Sequence, residues 1–182
     1  MVSKRDIRRH ALSLRQMLSV EERIEKSQCI YKKVISHPLF LEADTIFCYV
    51  NYKEEVCTRK IIETAWNMGK VVAVPKTNEM EMFFCEIHDF SDLKEGYKGI
   101  LEPTTSIIPE TEQGLVIMPG VAFDSKRNRV GYGKGYYDRF LKYHKNFNTM
   151  ALAFSIQVFS EILCDIHDIK PEILITEEQI YV

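Results

Sequence analysis

Gly114-Leu115-Val116-Ile117-Met118 is an uninterrupted apolar run, and Pro119-Gly120 follows it directly. An apolar residue at nearly every position is typical of a strand whose two faces are both covered, because neither face then meets water. The run therefore predicts a strand that is buried on both faces and that opens into a loop at Pro119.

On both sides of this run, the pattern alternates between strand and helix. Further strands are predicted at residues 45–50, 71–75, 82–87, 149–154 and 173–176, and helices at residues 58–68 and 136–144. This alternation favours an α/β fold with a mostly parallel sheet covered on both faces. We expect one domain over residues 1–182, with no internal repeat or linker. Ligands of such sheets bind beyond the carboxyl ends of the strands, here after Val50, Met118 and Phe154.

Two helices are predicted before the first strand. Ser3 and Ser19 are suited to cap them, because an acidic residue follows each serine three positions later. The first helix is expected to bury residues that recur at helical spacing: Ile7, Ala11, Leu14 and Leu18. The second carries the apolar residues Ile24, Ile30, Tyr31, Val34 and Ile35. It is expected to end before His37-Pro38, because the residue preceding a proline disfavours helical geometry.

Composition excludes several classes of protein. The 182 residues carry a formal net charge of −2, so no global positive field favours nucleic acid or an anionic membrane. No apolar run approaches the roughly 20 residues that span a membrane. We therefore predict a cytoplasmic protein that acts on small molecules, as a monomer or weak homodimer. The cysteines form no CxxC pair and are predicted to be buried free thiols: Cys29, Cys48, Cys57, Cys85 and Cys164.

The segment Gly131-Tyr132-Gly133-Lys134-Gly135 is predicted to bind an anion. Alternating glycines let the backbone turn its N–H groups towards one point, and the helix that begins near Tyr136 adds the positive end of its dipole. Arg129 and Lys134 supply full charges, and Asp138 is placed to hold Mg²⁺ against phosphate oxygens. A simple tight turn before a helix is the alternative. The loop follows neither GxxxxGK[ST] nor GxGxxG.

The longer segment from Pro119-Gly120 through Phe123-Asp124 and Asn128 to Arg139 closely resembles the signature of the 5-formyltetrahydrofolate cyclo-ligases. The Lys4 to Arg8 opening, the Glu55 region and the His167-Asp168 segment resemble that family in the same order. The resemblance implies a three-layer α/β/α domain. It also implies ATP- and Mg²⁺-dependent cyclisation of 5-formyltetrahydrofolate to 5,10-methenyltetrahydrofolate, with release of ADP and phosphate. The implied intermediate is an N5-iminium phosphate.

The resemblance also implies roles for individual residues. Those assigned to ATP are Lys4, Arg8, Arg129, Gly131, Gly133, Lys134, Gly135, Tyr136 and Tyr137. Those assigned to the folate are Val50, Glu55, Tyr132, Gly133, Lys134, Gly135 and Tyr136. Asp138 and Asp168 are assigned to the metal, and Arg129 and Lys134 to neutralisation of the transferring phosphoryl group. His167 is expected to be structural.

Helical geometry supports the assignment of Lys4 and Arg8, which lie with Arg15 within about 40° of one another on the first helix. No family motif supports Arg15, which is expected to be a solvated surface residue. Two positions depart from the family pattern. Tyr132 stands where many members carry arginine, and Pro171-Glu172 stands where an aspartate is common. Two alternatives remain open: an enzyme acting on a sugar phosphate or CoA thioester, and a non-catalytic nucleotide- or folate-binding module.

Overall fold

The computed structural model describes residues 3–78, 81–96, 99–163, 165 and 168–182. Its helices are α1 (Lys4–Met17), α2 (Val20–Ile35), α3 (Pro38–Glu42), α4 (Arg59–Asn67) and α5 (Tyr136–Tyr143). Strands β1 to β6 are Thr45–Cys48, Val71–Thr77, Met82–Glu86, Leu93–Glu95, Leu101–Pro103 and Gly114–Met118. Strands β7 to β12 are Ala122–Asp124, Arg129–Val130, Phe147–Leu152, Val158–Phe159, Ile173–Ile175 and Ile180–Tyr181.

A seven-stranded sheet in the order β12-β11-β9-β6-β1-β2-β3 forms the centre of the fold. The five inner strands pair in parallel, whereas β3 and β12 add antiparallel edges. Strand β6 lies in the middle and is buried at each of its positions, as its apolar run predicts. The predicted α/β fold with a mostly parallel sheet is therefore confirmed.

Alternate side chains of the inner strands enter two separate cores, because successive residues of a strand point to opposite faces. Ile46 and Cys48 of β1 pack with apolar residues of α2, α3 and α4 on one face. Phe47 points to the other face, where it packs with Phe123 and with Leu141 of α5. The sheet thus has helices on both faces.

Helix α1 packs on a smaller sheet instead, which has the order β10-β7-β8. Its buried residues Ile7 and Ala11 meet Val121, Val130 and Ile162 in a third apolar cluster. Because β8 leads directly into the glycine-rich loop, this packing brings the basic side of α1 against that loop.

The predicted N-caps form, since the Ser3 and Ser19 side chains accept hydrogen bonds from the Asp6 and Glu22 amides. Helix α2 ends at Ile35 as expected. Pro38 then begins the short helix α3, which was not predicted. Proline suits the first turn of a helix, where its missing N–H leaves no bond unmade.

The expectation that the cysteines are buried is wrong for two of them. Cys29 and Cys57 are exposed, whereas Cys48 and Cys85 are buried. Cys164 and His167 lie outside the described residues. Within the ranges given above, no helix is both long and apolar enough to cross a membrane.

Candidate active site

An open cavity of about 280 Å³ lies where the glycine-rich loop meets α1 and the start of α5. Pro119, the first residue after β6, forms part of its wall, so the cavity lies beyond the carboxyl end of a central strand. The lining residues are Lys4, Arg8, Pro119, Arg129, Val130, Gly131, Tyr132, Gly133, Lys134, Gly135, Tyr136, Tyr137, Asp138 and Asp168. Every residue predicted for ATP or metal is among them.

The backbone of the loop adopts a conformation that depends on two of its three glycines. Gly133 has φ 99° and Gly135 has φ 65°, values that residues with a Cβ rarely adopt. Gly135 is also the N-cap of α5 and provides no side-chain cap. In the described structure, the first hydrogen bond of this helix is from the Arg139 amide to the Gly135 carbonyl. The three preceding amides are therefore available to an anion in the cavity.

Two basic residues of α1 hold the loop and the C-terminal segment. The Arg8 Nε donates to the Gly131 carbonyl at 2.8 Å. Lys4 Nζ donates to Asp165 Oδ2 at 2.6 Å and to Asp168 Oδ2. Burial opposes ionisation of Asp168, but hydrogen bonds from Lys4 and the Asp165 amide outweigh it and lower the pKa of this carboxyl. Asp168 is thus an anion that is oriented before any ligand binds.

Arg129 and Asp138 form a shielded ion pair. The Arg129 side chain is only 6% exposed, and its Nη2 lies 2.7 Å from Asp138 Oδ1. Nη1 donates to the Pro119 carbonyl at 3.3 Å, and Nε is buried without a partner among the described residues. Asp138 Oδ1 also accepts from the Ile169 amide at 2.9 Å. The pair therefore ties the first turn of α5 to the segment after Asp168.

The donor set fits a magnesium ion that also binds phosphate. Asp138 and Asp168 both line the cavity, and their recorded hydrogen bonds use only Oδ1 and only Oδ2, respectively. Within the described ranges, the other carboxylate oxygen of each accepts no hydrogen bond, and Mg²⁺ is commonly held by one or two carboxylates with phosphate oxygens and water. Among the described residues, no group of three or more His, Cys, Asp or Glu forms a metal cage by itself.

A second cluster joins three separate segments at the edge of the cavity. The Tyr132 hydroxyl donates to Glu55 Oε1 and accepts from Arg15 Nη2 at 3.1 Å. Glu55 Oε2 accepts from the Tyr52 amide at 2.8 Å. Burial raises the pKa of Glu55, although the Tyr132 and Tyr52 hydrogen bonds and the Arg15 charge oppose the increase. Glu55 is thereby linked to the cavity through Tyr132.

The remaining predicted residues differ in their surroundings. Lys134 is exposed, and its side-chain amine meets no partner in the described part of the chain. The Tyr136 hydroxyl donates to the Asn78 carbonyl at 3.0 Å, whereas the Tyr137 hydroxyl is buried and unpaired among the described residues. Val50 is partly buried against the larger apolar core and is not part of the cavity wall.

The sequence matches a known family over almost its whole length. The model of the 5-formyltetrahydrofolate cyclo-ligase family matches residues 1–177. The chain belongs to this family. It is 31% identical to the 5-formyltetrahydrofolate cyclo-ligase of Mus musculus, over 97% of this chain and 94% of that protein. It is 25% identical to the Escherichia coli K12 protein of the same name, over 92% of this chain and 96% of that protein.

A solved structure agrees with this assignment. The NMR structure of Aquifex aeolicus 5,10-methenyltetrahydrofolate synthetase superimposes with a TM-score of 0.85 at 32% sequence identity. The match covers 97% of this chain and 91% of that structure. The predictions of a cyclo-ligase family member, of an enzyme and of this fold are confirmed.

One expectation about the cyclo-ligase site is wrong, because Arg15 is only 4% exposed. Its stem lies on the buried side of α1, and its guanidinium donates to the hydroxyl of Tyr132 in the glycine-rich loop. The one feature of the sequence that pointed to Arg15 was its position on the same side of the helix as Lys4 and Arg8. Asp165, which binds Lys4, had no signal in the sequence analysis.

Proposed function

We propose that this protein uses ATP and Mg²⁺ to cyclise 5-formyltetrahydrofolate to 5,10-methenyltetrahydrofolate, releasing ADP and phosphate. The observation that supports the proposal most strongly is the composition of the cavity wall. Among the described residues, it combines four cationic side chains (Lys4, Arg8, Arg129 and Lys134) with the open amides at the start of α5.

The charge balance of this wall suits a triphosphate. In the described part of the wall, two acidic side chains, Asp138 and Asp168, stand against the four cations, which leaves an excess of two positive charges. Lys134 is the cation that has no protein partner in the described structure, so it is available to the terminal phosphate. Arg8 is held by the Gly131 carbonyl through Nε, which leaves its terminal nitrogens for phosphate oxygens.

Asp138 and Asp168 would hold the magnesium ion through their open oxygens. When bound, the ion supplies positive charge to the phosphate oxygens during transfer. Arg129 orients Asp138 through Nη2, and Lys4 orients Asp168 through Nζ. Both carboxylates are thus held by cations that also face the cavity.

The folate would lie towards Glu55 and Tyr132. The Glu55 carboxylate accepts one hydrogen bond from Tyr132 and one from the Tyr52 amide, and a carboxylate has about four acceptor positions. The remaining positions suit the amino group and ring N–H of a pterin. Val50 would contribute an apolar or backbone contact near the end of β1.

The proposed chemistry is activation of a carbonyl by phosphorylation. The N5-formyl oxygen attacks the γ-phosphorus; a new O–P bond forms, the bond from this phosphorus to the bridging oxygen of ADP breaks, and ADP and an N5-iminium phosphate result. N10 then adds to the formyl carbon and loses its proton, and loss of phosphate leaves the methenyl bridge. Arg129 and Lys134 would neutralise the transferring phosphoryl group, so the protein contributes positioning and charge rather than a covalent nucleophile.

The test is the near-ultraviolet absorbance of methenyltetrahydrofolate, followed with 5-formyltetrahydrofolate, ATP and Mg²⁺ together and with each omitted in turn. We expect product only with all three, and ADP release that depends on the folate. ATP binding without product would favour a non-catalytic nucleotide-binding module. ADP release or turnover only with another acceptor, such as a sugar phosphate, would reject the proposed substrate.

A further inference from the structure

Arg15 is a buried arginine that has no role in the reaction proposed above. The residue lies in the last turn of α1 and is 4% exposed, and its Nε is buried without a partner among the described residues. Burying a guanidinium costs free energy unless it is paired with an opposite charge and its N–H groups make hydrogen bonds. In the part of the chain that the structure describes, its guanidinium makes one hydrogen bond, which it donates to the Tyr132 hydroxyl.

The direction of the hydrogen bonds in this cluster follows from the chemistry of the groups. A guanidinium only donates, so the Tyr132 oxygen accepts from Arg15. An ionised carboxylate only accepts, so the single Tyr132 proton must point to Glu55 Oε1. The Tyr52 amide fixes the second Glu55 oxygen. Tyr132 is therefore the single link between the Arg15 guanidinium and the Glu55 carboxylate in the described structure.

We propose that Arg15 is a positioning residue of the substrate site, which holds the Tyr132 hydroxyl as a donor to Glu55 and so orients the Glu55 carboxylate towards the folate. This inference rests on the proposed function, because it assigns Glu55 to the substrate. Arg15 touches neither substrate nor the reacting atoms. It acts across 117 residues of sequence through Tyr132, and Tyr132 acts across a further 77 to Glu55.

The same arrangement controls the charge of Glu55. Burial raises the pKa of this carboxyl, Arg15 lowers it, and the neighbouring Glu54 raises it. Tyr49 and Tyr137 also lie within electrostatic reach, and burial raises the pKa of both phenols well above the usual range, so they stay neutral. Among the described residues, Arg15 supplies the positive charge that opposes protonation of Glu55. Removing it raises the Glu55 pKa and moves the acid limb of the pH profile to higher pH.

The experiment compares Arg15→Met with Arg15→Lys and Tyr132→Phe. Methionine keeps the apolar stem packed on α1 and removes the charge and the donors. We expect Arg15→Met to raise the KM for 5-formyltetrahydrofolate about tenfold, to leave the KM for ATP within about twofold, and to shift the acid limb of kcat/KM upwards. Arg15→Lys, which keeps a charge and a donor, should restore the acid limb and part of the KM.

Tyr132→Phe supplies the control for the path of the effect. Tyr132 is 46% exposed, and phenylalanine keeps its ring while removing only the hydroxyl that joins Arg15 to Glu55; circular dichroism checks that the fold is unchanged. If Arg15 acts through this hydroxyl, Arg15→Met should raise the folate KM no further in the Tyr132→Phe background. Equal rises in the KM for both substrates, additive effects of the two changes, or an unmoved acid limb would each overturn the inference.

The outcome for the wild-type protein separates this inference from the proposed function. If the wild-type protein binds 5-formyltetrahydrofolate but does not convert it, the proposed reaction fails. The Kd of the same variants for 5-formyltetrahydrofolate then tests the role of Arg15, and we expect Arg15→Met to raise it about tenfold over the wild-type protein. If the wild-type protein does not bind the folate at all, both proposals are rejected.

Discussion

The unpaired hydroxyl of Tyr137 allows a test in which the sign of the stability change is informative. The ring packs edge-on to Phe84, with ring centroids 6.2 Å apart, while the hydroxyl is buried without a partner among the described residues. Burial raises the pKa of this phenol well above its usual range, so the group is a neutral donor. Tyr137→Phe keeps the ring contacts and removes only the oxygen.

A buried polar group without a hydrogen bond costs about 1–3 kcal/mol. Removing it should therefore leave the ligand-free protein as stable as before or about 1 kcal/mol more stable. For a chain of 182 residues, that gain corresponds to a rise in Tm of roughly 2–4 °C. An ordinary tyrosine that donates a hydrogen bond would lose stability on the same change.

Tyr49→Phe is the matched control. Tyr49 is 3% exposed, and its hydroxyl donates to the Val56 carbonyl at 3.0 Å. Its loss leaves that carbonyl unpaired and should lower the free energy of unfolding by about 1–3 kcal/mol. Urea and thermal unfolding, followed by circular dichroism without ligands, measure both variants.

A loss of stability in Tyr137→Phe as large as that in Tyr49→Phe would refute the reasoning, because the hydroxyl would then have a partner in the free protein. The same two variants can be compared with ATP, Mg²⁺ and 5-formyltetrahydrofolate present. If the hydroxyl pairs with a ligand, the ligand-induced rise in Tm should be smaller in Tyr137→Phe than in the wild-type protein.

Three further changes test other parts of the structure. Lys134→Ala should lower kcat at least tenfold with the fold unchanged, whereas Lys142→Ala, an exposed lysine later in α5, should not; equal rates for both would reject the role of Lys134. Asp138→Asn keeps an acceptor for Arg129 but loses the charge, so the Mg²⁺ concentration for half-maximal rate should rise about tenfold, and an unchanged requirement would reject it as a ligand. Hydrogen bonds, including one from Lys26, outweigh burial and lower the pKa of Glu177, so its stabilisation is present above the ordinary glutamate pKa and is lost in acid. Glu177→Gln should therefore lower the free energy of unfolding by about 1–2 kcal/mol at pH 7, as measured by urea unfolding. The difference from the wild-type protein should become smaller below about pH 4, and a difference that stays constant would contradict the reasoning.

The sequence predicted the central strands well because their apolar composition does not depend on distant partners. Strand β6 has the predicted bounds of Gly114 and Met118. The strands β7, β8 and β10 have two or three residues each and are too short to show an alternating pattern. Helix α3 was missed for a different reason, since Pro38 marks both the end of one helix and the start of the next.

The site was only partly predictable. Spacing on α1 put Lys4, Arg8 and Arg15 on one side of the helix, and the structure places two of them in the cavity wall. Spacing alone does not show which residues of other elements pack against that side of the helix. Arg15 is buried, and its guanidinium meets Tyr132, which lies on a loop more than a hundred residues later.

The two buried arginines have parallel roles at the two ends of the glycine-rich loop. Arg129 binds Asp138 in the first turn of α5, and Arg15, as proposed above, orients Glu55 through Tyr132. Arg8 also holds the loop, through the Gly131 carbonyl. Each of these bonds is present before a ligand arrives, so the acidic groups need little reorganisation on binding. Groups held in this way stabilise a transition state more effectively than groups that must first be ordered, because the energetic cost of ordering has been met in folding.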